Sequence, residues 1–355
     1  MEPRKIFHKR EYRFPRTSFT LSGYSRAAYR SGFYINGLGI ALDGGPQFFK
    51  RVSHYLITHA HTDHTACLPY SLIGDSEVET ADGKVDRPIV YCPTKVANVL
   101  DQNILTSFRS NFGTDRMDAR IREFYEVQGL DAGEEIRIVA NKQKLTIRTF
   151  KSDHSVPTLV YGISIEKKKL KPEFEGLTKT ELRDLARSGT QLSGPVNEPL
   201  VSYVLDSSIH TLENHPEVLD YPTVIIECTF LLDGEEESAE DKKHIHWNDL
   251  LPYIEARPDT TSILTHFSLK YTDEEIQDFF REQISERNLT NIVPWLTDIE
   301  FELEDHDANE EVIEDYDNSI VSLTTKSDVM GGFRQATLFY LMMIVMLLEV
   351  YRLFF

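Results

Sequence analysis

Cysteine is scarce. Cys67, Cys92 and Cys228 are the only three in 355 residues, and no two of them stand in a CxxC spacing. This excludes a disulfide framework and a thiolate zinc site, and it leads us to expect a reducing compartment, cytoplasmic or organellar. The opening MEPRKIFHKREYRF lacks the apolar core of a secretory signal, so the chain is expected not to be secreted. Positive charge is also in deficit: 38 Lys and Arg face 57 Asp and Glu, a formal charge of −19. A general nucleic-acid coat protein is thereby excluded, because non-specific polyanion binding relies on Lys and Arg displacing counterions. No internal repeat is visible. With 41% hydrophobic and 27% charged residues the composition excludes a disordered or fibrous chain.

The charge is unevenly spread. Residues 1–30 hold eight Lys/Arg against two Glu, and 298–317 hold eleven Asp/Glu with no Lys or Arg. Between these extremes the pattern is layered α/β. The stretch 33–45 reads as strand, turn, strand, and Val52 to Thr58 as a further strand. Val96, Val99, Leu100, Ile104 and Leu105 mark an amphipathic helix. Strands are expected at 135–139, 145–150, 160–165, 201–205 and 223–226, with two helices in the last third. The second of these opens on a capping box, Thr272 with Glu275. We read 1–30 as a basic N-terminal segment, 31–297 as the main domain with a charged excursion at 166–200, and 298–335 as an acidic linker. The twenty residues 336–355 carry only Glu349 and Arg352 as charges, and at ~1.5 Å per residue they would just cross a ~30 Å hydrocarbon layer. A C-terminal membrane anchor is one expectation for them; an amphipathic or packed helix is the other.

Twelve histidines are present, and they cluster. His59-Ala60-His61-Thr62-Asp63-His64 follows a strand directly. A tight loop there turns His59 and His61 toward one point and Asp63 with His64 toward a second, a donor set suited to two borderline divalent ions. One loop cannot fill two coordination shells, so further ligands are expected at other strand ends. His154, Asp206 and His266 each stand at such an end.

Strand-HxHxDH followed by a His, an Asp and a His at successive strand ends resembles the metallo-β-lactamase superfamily. Within it the flanking residues are similar to ribonuclease Z, the tRNA 3′-processing endonuclease. Leu42-Asp43-Gly44-Gly45 resembles that family's first motif, and His154-Ser-Val-Pro157 its third. Glu227-Cys-Thr-Phe230 resembles the His-Glu-Ala-Thr-Phe block, and His266-Phe-Ser-Leu-Lys-Tyr271 the His-Phe-Ser-x-Arg-Tyr motif. The resemblance implies an αββα sandwich. It also implies one metal held by His59, His61 and His154, another by Asp63, His64 and His266, with Asp206 bridging and Asp43 orienting the loop. The ions would be zinc, with manganese as the alternative. Asp63, Glu227 and His246 would carry the catalytic roles, His246 standing before the helix of Leu250, Leu251 and Ile254 with Asn248 as its cap; His244 is the alternative proton donor. Lys167, Lys168, Lys169, Lys171 and Lys270 are candidates for substrate binding.

The activity so implied is hydrolysis of an RNA phosphodiester by a metal-bridging hydroxide, with tRNA trailer removal as the candidate reaction. The partners implied are precursor tRNA, a second copy in a homodimer and, through 336–355, a membrane. The chain departs from the family pattern in several places. It has no Pro-x-Lys-x-Arg-Asn loop, Leu205-Asp206-Ser207 replaces Gly-Asp-Thr, Ile226 replaces the His before the Glu, and Lys270 replaces Arg. The 166–200 excursion lacks the Gly-Pro-rich signature of the family's tRNA-gripping arm. A hydrolase of a small phosphodiester, thioester, lactone or sulfate ester is therefore the second reading. A catalytically idle, membrane-tethered binding protein is the third; it predicts lost ligands, and every one is present.

Overall fold

The computed structural model describes residues 10–48, 50–75, 87–113 and 121–296. Two seven-stranded sheets form its body. The first runs in chain order, β1 (Tyr12–Arg13), β2 (Thr20–Arg26), β3 (Arg30–Asn36), β4 (Ile40–Leu42), β5 (His54–Leu56), β6 (Ile89–Pro93) and β7 (Glu126–Leu130). It is antiparallel as far as β4 and parallel from there on. The second comprises β8 (Glu135–Ala140), β9 (Gln143–Lys151), β10 (Leu159–Leu170), β11 (Ser193–Val204), β12 (Thr223–Glu227), β13 (Thr261–Thr265) and β14 (Ile292–Pro294), also in chain order. It is antiparallel from β8 to β11 and parallel from β11 to β14.

Three apolar clusters define the layers. Between the sheets lie Phe33, Leu42, Leu56, Tyr161, Tyr203 and Trp295, fully or almost fully buried. Phe33 packs edge-on against both Tyr203 and Trp295, and the Trp295 indole N–H donates to the Gly23 carbonyl, so the two sheets are tied by polar as well as apolar contacts. Outside the first sheet, helices α1 (Thr62–Thr65), α2 (Leu68–Asp75) and α3 (Thr94–Phe112) lie beside a second cluster that includes Leu68, Leu100, Ile104 and Phe108. Outside the second sheet, Leu250, Leu251, Ile254 and Phe280 come from α7 (Trp247–Glu255) and α8 (Asp273–Arg287). The expected αββα sandwich is the architecture found.

The capping box forms as read: Glu275 N–H donates to Thr272 Oγ1 while the Glu275 carboxylate accepts from Thr272 N–H. The cap of α7 differs from the expectation. Asn248 lies inside the helix, and the His246 ring accepts from the Asn248 N–H. The 166–200 excursion continues the sheet, since β10 and β11 stay paired from Tyr161↔Tyr203 out to Leu170↔Ser193. Helix α4 (Lys179–Arg187) lies at its tip. Residues 10–30 of the basic segment supply β1 and β2. Among the described residues no helix is long and apolar enough to cross a membrane. The acidic linker from 298 and the apolar stretch 336–355 lie outside the described residues.

Candidate metal centre

The candidate ligands, with Asp43 and Glu227, stand at the carboxyl ends of strands. Asp43 follows β4, His59 to His64 follow β5, His154 follows β9, Asp206 follows β11, Glu227 ends β12 and His266 follows β13. Asp43, Asp206 and His266 have φ of 60°, 47° and 62°, the left-handed region that side-chain-bearing residues avoid. Non-glycine residues held there mark places where the surrounding fold imposes a local cost to turn a side chain inward.

Four imidazoles share one arrangement. Nδ1 of His59 bonds Thr58 Oγ1 at 3.0 Å, that of His64 bonds Asp43 Oδ2 at 2.8 Å, that of His154 bonds the Lys243 carbonyl at 3.2 Å, and that of His266 bonds Thr229 Oγ1 at 3.1 Å. In the neutral ring these bonds place the proton on Nδ1 and turn the Nε2 lone pair to the interior, as in metal-ligating histidines held by outer hydrogen bonds. Asp43 is wholly buried and also accepts from Thr58 N–H and, across the sheets, from Tyr203 O–H.

The donor atoms converge. Ligand atoms of His59, His61, His154 and Asp206 all lie within 4.8 Å of one another, as do those of Asp63, His64 and His266. Asp206 faces both groups. Its Oδ1 is 3.1 Å from Nε2 of His64 and of His266, and its Oδ2 is 3.6 Å from Nε2 of His59 and 3.7 Å from that of His154. Yet Nε2 of His59, His64 and His266 and Oδ1 of Asp206 are buried with no aligned hydrogen bond. Buried polar atoms are ordinarily satisfied, so four orphans on one point fit a cationic occupant.

Electrostatics prepare most of these groups for that role. Burial lowers His154 and His266, and burial with the neighbouring His64 lowers His59 strongly, so all three are neutral near pH 7. Asp206 is held well below the usual carboxylate range because the surrounding imidazoles, His266 foremost, outweigh its burial. His64 is the exception. Burial opposes its charge, but Asp206 and Asp43 outweigh it and lift the ring well above the ordinary value. A cation arriving at Nε2 must displace that proton.

Glu227 lies beneath the cluster, fully buried. It accepts from Ser207 N–H, from Thr229 O–H at 2.6 Å and from Ile245 N–H at 3.1 Å. Its oxygens are 3.0 and 3.1 Å from His244 Nδ1. Burial disfavours a charged His244, but Glu227 prevails and the ring is pushed up to about 9. His244 lines the open cleft with His61, Asp63, Asp206 and His266. His246 does not: it caps α7, and its Nε2 bonds the Leu232 carbonyl at 3.0 Å. Of the two candidate proton donors, the structure thus brings His244, the alternative, to the cleft and not His246, the one preferred from the sequence.

The lysine candidates lie elsewhere. Lys167 pairs with Glu198 at 2.7 Å, Lys169 reaches the same carboxylate, and Lys171 lies near Glu173. Lys167 pairs in register with Val196, eight strand residues from Val204, so it stands roughly 26 Å from the metal end, and Lys169, opposite Gly194, stands farther out. Lys270 is bonded to Glu235 and stacked over Phe230. The sequence reading passed over Thr58 and Thr229, which link Asp43 to His59 and Glu227 to His266. The signal for Thr229 was present, inside the Glu-Cys-Thr-Phe block.

Gly45 tests how tightly the loop is seated. A Cβ there would lie 1.9 Å from the Asp63 carbonyl oxygen and 2.6 Å from that of Ser31. Gly45→Ala is expected to lower stability by about 2 kcal/mol or more and to reduce bound metal, read by thermal melting and elemental analysis. An unchanged melting point would mean the loop has slack.

Two face-to-face sheets with helices outside, and an imidazole–carboxylate cluster at their shared carboxyl end, define the metallo-β-lactamase fold and a metal-dependent hydrolase. The resemblance to ribonuclease Z also stands. A tRNase Z of Arabidopsis thaliana is 26% identical over 265 residues, 73% of this chain and 89% of that protein. The chloroplastic tRNase Z of the same plant is 22% identical over 266 residues, 74% of this chain and 71% of that protein. Among solved structures, the metallo-β-lactamase fold protein YhfI from Bacillus subtilis is similar at 14% identity and a TM-score of 0.48, covering 76% of this chain and 92% of that one. No protein-family model matches the chain.

Proposed function

We propose that the protein is an endoribonuclease of the ribonuclease Z type, a phosphodiesterase that removes the 3′ trailer of precursor tRNA. The observation that carries this reading is Asp206, whose two oxygens are divided between two inward-facing sets of donors. His59, His61 and His154 would hold one divalent cation and Asp63, His64 and His266 the other, with Asp206 shared. Neutral imidazoles with carboxylates favour zinc, and manganese is the alternative. Bound there, two such ions supply Lewis acidity toward a phosphoryl group and a water acidic enough to ionise near neutral pH.

The chain's own residues do the rest. Asp43 and Thr58 fix His64 and His59, and Thr229 fixes His266. Glu227 keeps His244 protonated at the cleft, where the ring delivers its proton to the departing O3′. The products are a 3′-hydroxyl and a 5′-phosphate. The tRNase Z names of the relatives support RNA as the substrate.

The paired lysines of β10 favour a second reading, hydrolysis of a small phosphodiester. One assay separates the two. Cleavage of precursor tRNA beside the discriminator nucleotide, lost with a chelator and restored by zinc or manganese, is the expected result. Hydrolysis of a small chromogenic diester with precursor tRNA left intact would select the second reading.

A further inference from the structure

The chemistry gives the cleft a direction. When water adds to phosphorus and the P–O3′ bond breaks, O3′ takes the proton of His244, so the upstream nucleotide lies on the His244 side. The phosphate stays with the downstream strand, which must leave another way. The His154 ring, 5.3 Å from His61 and 5.3 Å from His244, stands at the edge of the cluster.

Beyond His154 lies a second cavity of about 400 Å³, which none of the residues assigned above other than His154 lines. Its walls come from both sheets. Lys95 stands in the first turn of α3, Lys151 ends β9, and Ser155 to Pro157 form the loop between them and the metal site. Both lysines are exposed, and among the described residues neither is paired with an acid, unlike Lys167, Lys169 and Lys270. Two carboxylates share the cavity. Asp153 is already bound by Lys243 at 2.7 Å and by Ser208 O–H at 2.6 Å, which leaves Asp131 as the one counter-charge.

We propose that this cavity is the exit subsite for the downstream strand, with Lys95 and Lys151 binding the phosphates that follow the scissile one. The proposal deepens the reading of the centre as an RNA phosphodiesterase and rests on it. The cavity is large enough for a nucleotide-sized group. The lysines act as point charges on successive phosphates and read no base, as a trailer of arbitrary sequence requires.

The test is direct binding, which needs no turnover. Fluorescence anisotropy of a 5′-phosphorylated tetrauridylate labelled at its 3′ end is measured against the full chain between about 50 and 200 mM salt. Lys95→Gln with Lys151→Gln is expected to weaken binding about tenfold at the lower salt and to flatten the slope of log Kd against log salt by about 1.4, near 0.7 for each phosphate that is no longer neutralised. Lys95→Arg with Lys151→Arg restores both, and Lys142→Gln, exposed at the β8–β9 turn, changes neither. An affinity and slope equal to wild type in the Gln pair overturns the subsite, as does a wild type that fails to bind the oligonucleotide. Precursor cleavage is scored separately. A wild type that binds through these two lysines yet leaves precursor tRNA intact defeats the tRNA reading alone, whereas one that cleaves it with lysine-independent binding defeats the subsite alone.

Discussion

Asp206→Asn is expected to leave the protein folded and to lower kcat by at least about a thousandfold, the several kcal/mol that metal chemistry supplies. Both halves of that expectation come from geometry. Asn tolerates the left-handed backbone as well as Asp does, so φ of 47° is kept. The amide, however, removes the single anion set between His64 and His266 on one side and His59 and His154 on the other. Metal content measured on the variant should fall from two equivalents to one or none. Two equivalents with wild-type turnover would show that the carboxylate is not shared between ions.

Glu227→Gln addresses the proton. Turnover is expected to drop about 10²- to 10³-fold, the usual contribution of a positioned acid. The pH profile carries the sharper information. On the proposed mechanism the charged ring of His244 is the donor, so the activity it supports is complete below its pKa and is lost as pH rises through about 9. Without the carboxylate the main influence raising the ring is gone and burial pulls its pKa down, so the alkaline limb moves toward neutral pH. His244→Ala should abolish that limb. His246→Ala should instead cost about 1 kcal/mol of stability through the lost helix cap and leave the limb in place. An alkaline limb that follows His246 would return the donor role to that residue.

The converging donor cluster was legible in the sequence because metal chemistry restricts both residue type and placement. HAHTDH after a strand leaves few alternatives, and His154, Asp206 and His266 each follow an apolar run that forms a strand. The choice between His244 and His246 was not legible. The two lie on one short segment, and the outcome turns on which ring nitrogen finds which acceptor: the Leu232 carbonyl and the Asn248 N–H engage His246, leaving His244 to Glu227. Strand lengths were blurred for a related reason. β10 runs five residues past Ile165 through Glu166 and three lysines because pairing with β11 sustains it, where composition alone suggested that the sheet had ended. The lysine run also looked like a substrate surface until Glu198, thirty residues on, proved to face it across the strand pair.

The division of donors between the sheets has one more consequence. Of the first set, His59 and His61 belong to the half of the polypeptide before the β7–β8 turn, and His154 and Asp206 to the half after it. The second set is split in the same way, Asp63 and His64 against His266. Neither half holds the whole of either set, so on the proposed assignment cation uptake by these two sets would report the docking of two chain segments, and a protein severed at that turn is expected to regain both sets only by complementation.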